Sequence, residues 1–189
     1  VRLGILGGSF DPPHLGHLIP AIDAAEALGL DGIRFVPAWA QPFKIGQARA
    51  TPEQRLVMTQ RIVRTIPGFA VDRSEIDREG LSYTVDTVSQ MAAANPTAEL
   101  VLLLGADAYA LFEQWREPER IRALASIAVL QRGGDVVSAR GAGPVQVLKT
   151  RRVDISSTEL RARVADGRTI RGFTPDAVAD YVAAHRLYR

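Results

Sequence analysis

Two histidines three positions apart, His14 and His17, fall in an eleven-residue stretch, residues 7–17, that reads GGSFDPPHLGH. The 189-residue chain holds only three histidines, so two in one short stretch concentrate groups able to donate to, accept from or ligate a substrate. An apolar run, Arg2-Leu-Gly-Ile-Leu6, precedes the stretch, and a helical pattern to about Leu28 follows it, which makes it a strand-to-helix turn. Such a turn presents unpaired backbone N–H groups and the positive end of a helix dipole, and both suit an anion. Gly7 and Gly8 let a ligand approach the backbone, Pro12 and Pro13 stiffen the turn, and Gly16 would leave room for a phosphate. The other chemistry open to these residues is a metal site of His14, His17 and Asp11. Phosphate binding is favoured because the glycines and the helix start serve an anion and no third close ligand is evident.

Further along, three hydroxyl residues, Ser156, Ser157 and Thr158, open a helix with Arg161 one turn later, within Asp154-Ile-Ser-Ser-Thr-Glu-Leu-Arg161. Alone this is an ordinary helix cap. Gly105-Ala-Asp107 closes the apolar run Glu99 to Leu104 and alone reads as a simple turn. Ser82-Tyr-Thr-Val-Asp-Thr87 reads as another helix start, with Ser82 at the cap, and Trp115 and Trp39 are the two tryptophans. Lys44 stands out because 21 of the 23 basic residues are arginine. The chain has no GxGxxG, Walker A lysine, GxSxG or HExxH pattern, which leaves hydride transfer, P-loop hydrolysis and serine acyl transfer without support.

GGSFDPPHLGH resembles the phosphate-binding HxGH motif of the nucleotidyltransferase superfamily, and in its full form is similar to bacterial nicotinate-nucleotide adenylyltransferases. The 155–161 segment resembles their ISSTxxR motif, and SYTVDT and GADA followed by a tryptophan are features of the same branch. The resemblance runs through four ordered motifs from Gly7 to Arg161. It implies adenylyl transfer from ATP, with Mg²⁺, to nicotinate mononucleotide, giving deamido-NAD and pyrophosphate in NAD biosynthesis. It also implies that His14, His17, Lys44 and Arg161 act on the transferring phosphates. ATP would be bound by Gly7, Gly8, Ser9, Phe10, Gly16, Gly105, Asp107, Ile155, Ser156, Ser157 and Thr158. The mononucleotide would meet Ser82, Tyr83, Thr84 and Trp115, with the indole stacked on the pyridine ring and Trp39 as a competing candidate. Many relatives carry a histidine directly before the lysine, where Phe43 stands here. A pantetheine-phosphate adenylyltransferase would share the histidine and hydroxyl–arginine motifs but does not account for SYTVDT. A non-catalytic nucleotide- or RNA-binding module related to aminoacyl-tRNA synthetases would want a lysine-rich loop, and Lys44 and Lys149 are the only lysines.

The absence of cysteine excludes disulfides, thiolate nucleophiles and cysteine metal sites. A net charge of +2 gives no electrostatic case for nucleic acid, and no apolar run approaches membrane-spanning length. A cytoplasmic protein with no protein-bound metal is expected. With 47% hydrophobic residues the chain can bury a core, and residues 1–189 are expected to form one nucleotidyltransferase domain.

Strands are expected at 2–6, 33–36, 69–71, 99–104, 127–130 and 144–148. Helices are expected at 15–28, from Pro52 to about Ile66, 82–94, 118–124, from Ser156 to about Asp166, and from a Thr174–Asp176 cap to about His185. A glycine-rich loop is expected at 133–144. Strands alternating with helices predict a doubly wound parallel α/β sheet, Rossmann-like, with ligands at the carboxyl ends of its strands.

Overall fold

The computed structural model describes residues 1–43, 45–131, 133 and 144–189. Six strands form the sheet: β1 (Arg2–Gly8), β2 (Gly32–Pro37), β3 (Phe69–Val71), β4 (Glu99–Gly105), β5 (Ser126–Gln131) and β6 (Val145–Lys149). Every pair is parallel, in the order β3-β2-β1-β4-β5-β6. The chain winds outward from β1 to β3, then returns to lay β4 on the other side of β1. The strand order therefore reverses between β1 and β4, which opens a crevice at their carboxyl ends.

The helices are α1 (Leu15–Leu28), α2 (Pro52–Val63), α3 (Ser74–Arg78), α4 (Thr84–Ala94), α5 (Ala106–Ala110), α6 (Pro118–Leu124), α7 (Ser157–Ala165) and α8 (Asp176–Ala184), with a 3₁₀ turn at Phe112–Gln114. They cover both faces of the sheet. Along β4, Leu100, Leu102 and Leu104 enter the core beside α4 and α6, whereas Val101 and Leu103 enter the core beside α1, α2 and α8. Burial on both faces is why β4 reads as one unbroken apolar run.

Three local expectations need correction. Ser82 does not cap α4: Tyr83 is the N-cap residue, without a side-chain cap bond, and the Ser82 hydroxyl instead accepts from the Trp39 N–H at 2.9 Å. Thr174 does not cap α8 either, because its hydroxyl donates to the Pro13 carbonyl at 2.9 Å and Pro175 takes the cap position. In both places a tertiary partner outcompetes the local one. The segments after β3 and β4, taken as connections, fold into α3 and α5, and α2 stops at Val63. Most of the glycine-rich 133–144 loop lies outside the described residues. Among the described residues no helix is long and apolar enough to cross a membrane.

Candidate active site

A cleft of about 640 Å³ opens at the carboxyl ends of the strands. Its walls are Gly7–Asp11 after β1, the start of α1, the loop after β2, the start of α4, the β4–α5 junction, Trp115 and the start of α7. Every expected site residue except Lys44, which lies outside the described residues, lines this cleft. Trp115 lines the cleft and Trp39 does not.

His14 and His17 are built into the helix cap. His14 is the N-cap of α1, and its Nδ1 accepts from the Gly16 N–H at 3.1 Å. Reciprocally, His17 Nδ1 accepts from the His14 N–H at 3.2 Å, which completes a capping box with histidines in both side-chain roles. The consequence is chemical. Because each Nδ1 accepts, the proton of each neutral imidazole sits on Nε2, so local backbone bonding fixes both tautomers. The rings lie 3.8 Å apart, His14 buried and His17 half-buried, with the Phe10 ring edge-on to His17 at 5.1 Å.

The glycines of the turn divide by role. A side chain at Gly7 would meet nothing within 4 Å, which leaves the backbone open to the cleft. At Gly8 a Cβ would strike the buried Phe10 ring at 2.9 Å. At Gly16 it would strike the His14 imidazole at 2.9 Å and the Ile155 carbonyl at 3.1 Å. The space expected for phosphate at Gly16 is therefore filled by His14 and by the backbone before α7. Glycine is needed there to join the two motifs.

That junction brings residues 155–161 to the turn. Ser157 Oγ donates to the Pro12 carbonyl at 2.8 Å, and Ser156 caps α7 by accepting from the Glu159 N–H at 3.1 Å. Arg161 donates through Nη1 to the Asp11 carbonyl at 2.8 Å and through Nη2 to Thr158 Oγ1 at 3.1 Å. The amino ends of α1 and α7 thus border one cleft, with two imidazoles and a guanidinium, while the first N–H groups of α1 are spent on protein acceptors, Leu15 on the Phe173 carbonyl at 3.0 Å and Gly16 on His14 Nδ1.

The opposite end is aromatic. Tyr83 and Thr84 at the start of α4 share the wall with Trp115, which packs on Phe112 at 5.3 Å. The Arg116 guanidinium lies 5.0 Å from the centre of the Tyr83 ring and lines the same wall. On the same cleft, buried Glu75 accepts from the Thr87 hydroxyl at 2.6 Å, and Arg78 donates to that hydroxyl at 3.1 Å. Burial pushes the Glu75 carboxyl above its ordinary range, against the opposing pull of Thr87, Ser82 and Arg78.

Sequence reasoning passed over four residues here. Arg116 and Glu75 carried no recognisable pattern. Arg55 stood in the apolar stripe of α2, an incongruity that signals a buried charge. It is 1% exposed and donates to the carbonyls of Ser9, Ala38, Trp39 and Ala50, so one guanidinium ties the β1 turn to the β2 loop. Burial lowers its affinity for the proton and the Asp11 charge opposes this. Tyr188 donates to Asp11 Oδ1 at 2.7 Å. Asp11 is thereby engaged as an acceptor inside the turn. Among the described residues no three His, Asp or Glu side chains are grouped to hold a metal ion.

Residues 5–163 match the cytidylyltransferase-like family model. The chain is 45% identical to a protein of Gemmatimonas aurantiaca named "Probable nicotinate-nucleotide adenylyltransferase", over 100% of this chain and 93% of that one. A Thermus thermophilus protein of the same name is 43% identical, over the whole of both chains. Among solved structures, Plasmodium falciparum nicotinic acid mononucleotide adenylyltransferase complexed with NaAD superposes with a TM-score of 0.80 at 18% identity, covering 99% of this chain and 97% of that one. The same enzyme complexed with APC gives 0.77 at 17% identity, covering 99% and 96%. At those identities the superpositions speak for the fold.

Proposed function

Because the chain belongs to the cytidylyltransferase-like family and, within it, to the family of its 43–45% identical bacterial relatives, it is a nucleotidyltransferase, and we propose that it adenylylates nicotinate mononucleotide. One observation carries this reading: a single cleft joins two helix amino ends and paired imidazoles to an aromatic wall of Trp115 and Tyr83. The first end suits a triphosphate and the second a flat heteroaromatic ring.

In the reaction a 5′-phosphate oxygen of the mononucleotide forms a bond to the α-phosphorus of ATP, and the bond from that phosphorus to pyrophosphate breaks. The products are deamido-NAD and pyrophosphate. The attacking phosphate is already anionic at neutral pH, so no protein nucleophile is required, and catalysis is positioning plus stabilisation of charge. His14 and His17 donate through Nε2–H to the transferring group. The N–H groups that open α7, with Arg161 and Lys44, hold the triphosphate, and Gly105 and Asp107 meet the adenosine ribose. Nucleotidyl transfer generally uses a divalent metal, here assigned as Mg²⁺ entering on the triphosphate as part of the substrate. We assign the reaction to a single domain spanning residues 1–189 and to the cytoplasm.

The acid is favoured over the amide at the ring end. Tyr83 makes no side-chain cap bond, so the first-turn N–H groups of α4 face the wall uncapped by that side chain, and Arg116 adds positive charge beside them. A carboxylate accepts at both oxygens, whereas an amide turns an NH₂ toward those donors. Asp86, which would repel the acid, does not line the cleft. Pyrophosphate release from ATP, measured with nicotinate mononucleotide, nicotinamide mononucleotide and phosphopantetheine in turn, tests the reading. Turnover is expected with the first, with kcat/KM on the order of a hundredfold above the second. Turnover with phosphopantetheine alone would overturn the assignment.

A further inference from the structure

The phosphate turn is gripped by a segment distant in sequence. The Phe173 carbonyl accepts from the Leu15 N–H at 3.0 Å, and the Thr174 hydroxyl donates to the Pro13 carbonyl at 2.9 Å. The farthest tie is the Tyr188 hydroxyl, which donates to Asp11 Oδ1 at 2.7 Å across 177 positions. Asp11 is 2% exposed, and its carboxylate also accepts two backbone hydrogen bonds: the Arg49 N–H on Oδ2 at 2.7 Å and the Ala50 N–H on Oδ1 at 3.1 Å. Burial and the Asp11 charge push the Tyr188 hydroxyl well above the ordinary phenol range, so it keeps its proton and remains a donor.

Two cations stand near this carboxylate. Arg55 is held by four carbonyls and cannot swing. Arg161 is seated on the Asp11 carbonyl at 2.8 Å with Nη1 only 4.0 Å from Asp11 Oδ2, so it can either pair fully with the carboxylate or reach the cleft. The balance is set by how well the carboxylate is otherwise satisfied. We infer that Tyr188 is a positioning residue of the triphosphate site: its hydroxyl satisfies Asp11 and so leaves Arg161 available to ATP. The inference rests on the reading of Arg161 as a triphosphate ligand. Without the hydroxyl, Oδ1 keeps only the Ala50 N–H, and Arg161 is drawn into a closed ion pair.

The test is a double-mutant cycle read in steady-state kinetics with saturating nicotinate mononucleotide. Tyr188→Phe keeps the ring's packing and removes one hydroxyl. It should raise KM for ATP about fivefold to tenfold, with kcat and KM for the mononucleotide changed less than about twofold. In an Arg161→Ala background the same substitution should change KM for ATP less than about twofold, because the residue it acts through is gone. Thr174→Val is the control: it removes a more deeply buried hydroxyl from the neighbouring Pro13 carbonyl and should leave KM for ATP within about twofold of wild type. Effects of Tyr188→Phe that multiply with Arg161→Ala, or an equal effect of Thr174→Val, would show that Tyr188 only packs the turn. A Tyr188→Phe protein that does not fold overturns the inference as well, since the hydroxyl would then hold the fold and not the site. Unchanged ATP kinetics in Arg161→Ala alone would remove the arginine from the site, a failure of the functional reading distinct from a failure of the coupling.

Discussion

Replacing His17 separates its two duties, because one is a helix cap and the other is chemistry. His17 Nδ1 accepts the His14 N–H at 3.2 Å, and its Nε2–H is the donor assigned to the transferring phosphate. His17→Ala loses both. One reciprocal capping-box bond lost costs roughly 0.5–1 kcal/mol, or about 1–4 °C in Tm for a chain of this size. Loss of one preorganised donor to developing charge should lower kcat by about two to three powers of ten. His17→Glu divides the two effects. Glutamate at the third helical position accepts the same N–H, and its charge suits the helix amino end, so Tm should return to wild type or above. The same charge faces the phosphates, so kcat should fall below that of His17→Ala. Thermal unfolding followed by circular dichroism, alongside pyrophosphate release, reads both quantities. A His17→Glu enzyme whose activity recovers together with its stability would refute the donor role and leave His17 a cap alone.

Gly16→Ala should gain up to about 1 kcal/mol of helix propensity and lose about 1–3 to the clash with His14 and the Ile155 carbonyl. A net fall in Tm with at least a roughly tenfold fall in kcat is expected; a more stable, fully active variant would mean that the two motifs do not need that contact. Trp115→Ala should raise KM for nicotinate mononucleotide by roughly ten- to a hundredfold, as for one lost base-stacking contact, with KM for ATP little changed, and the same kinetics check both. Glu75 supplies a pH signature. Its folded carboxyl lies above the ordinary value of 4.5, so from there upward the native state holds a proton that the unfolded chain has lost, and wild-type stability falls as pH rises through the interval between the two values. Urea unfolding of wild type and Glu75→Gln across that interval should show the wild type losing ground as pH rises; parallel curves would contradict a raised carboxyl.

What the sequence determined alone is what short-range pattern can encode. Period-3.6 and continuous apolar runs located the strands and long helices, and the turn and α7 motifs carried their own residue types at fixed spacing. That all their described residues meet in one cleft fits the doubly wound sheet the alternation of elements implied, while the strand order that opens the cleft is visible only in the fold. The tertiary structure decided where one side chain had two partners within reach. Ser82 and Thr174 sit at helix starts and read as caps, yet each bonds a segment far away in sequence, because a buried backbone group there must be satisfied. Gly16 read as space for a ligand, and only the approach of Ile155 shows that it is space for protein. The sequence leaves Asp11 open only to a disfavoured metal role, and the structure alone shows Arg49, Ala50 and Tyr188 converging on it as donors. Contacts across more than a hundred positions leave no periodic trace in one sequence, so the network that holds the phosphate turn became visible only when the fold closed around it.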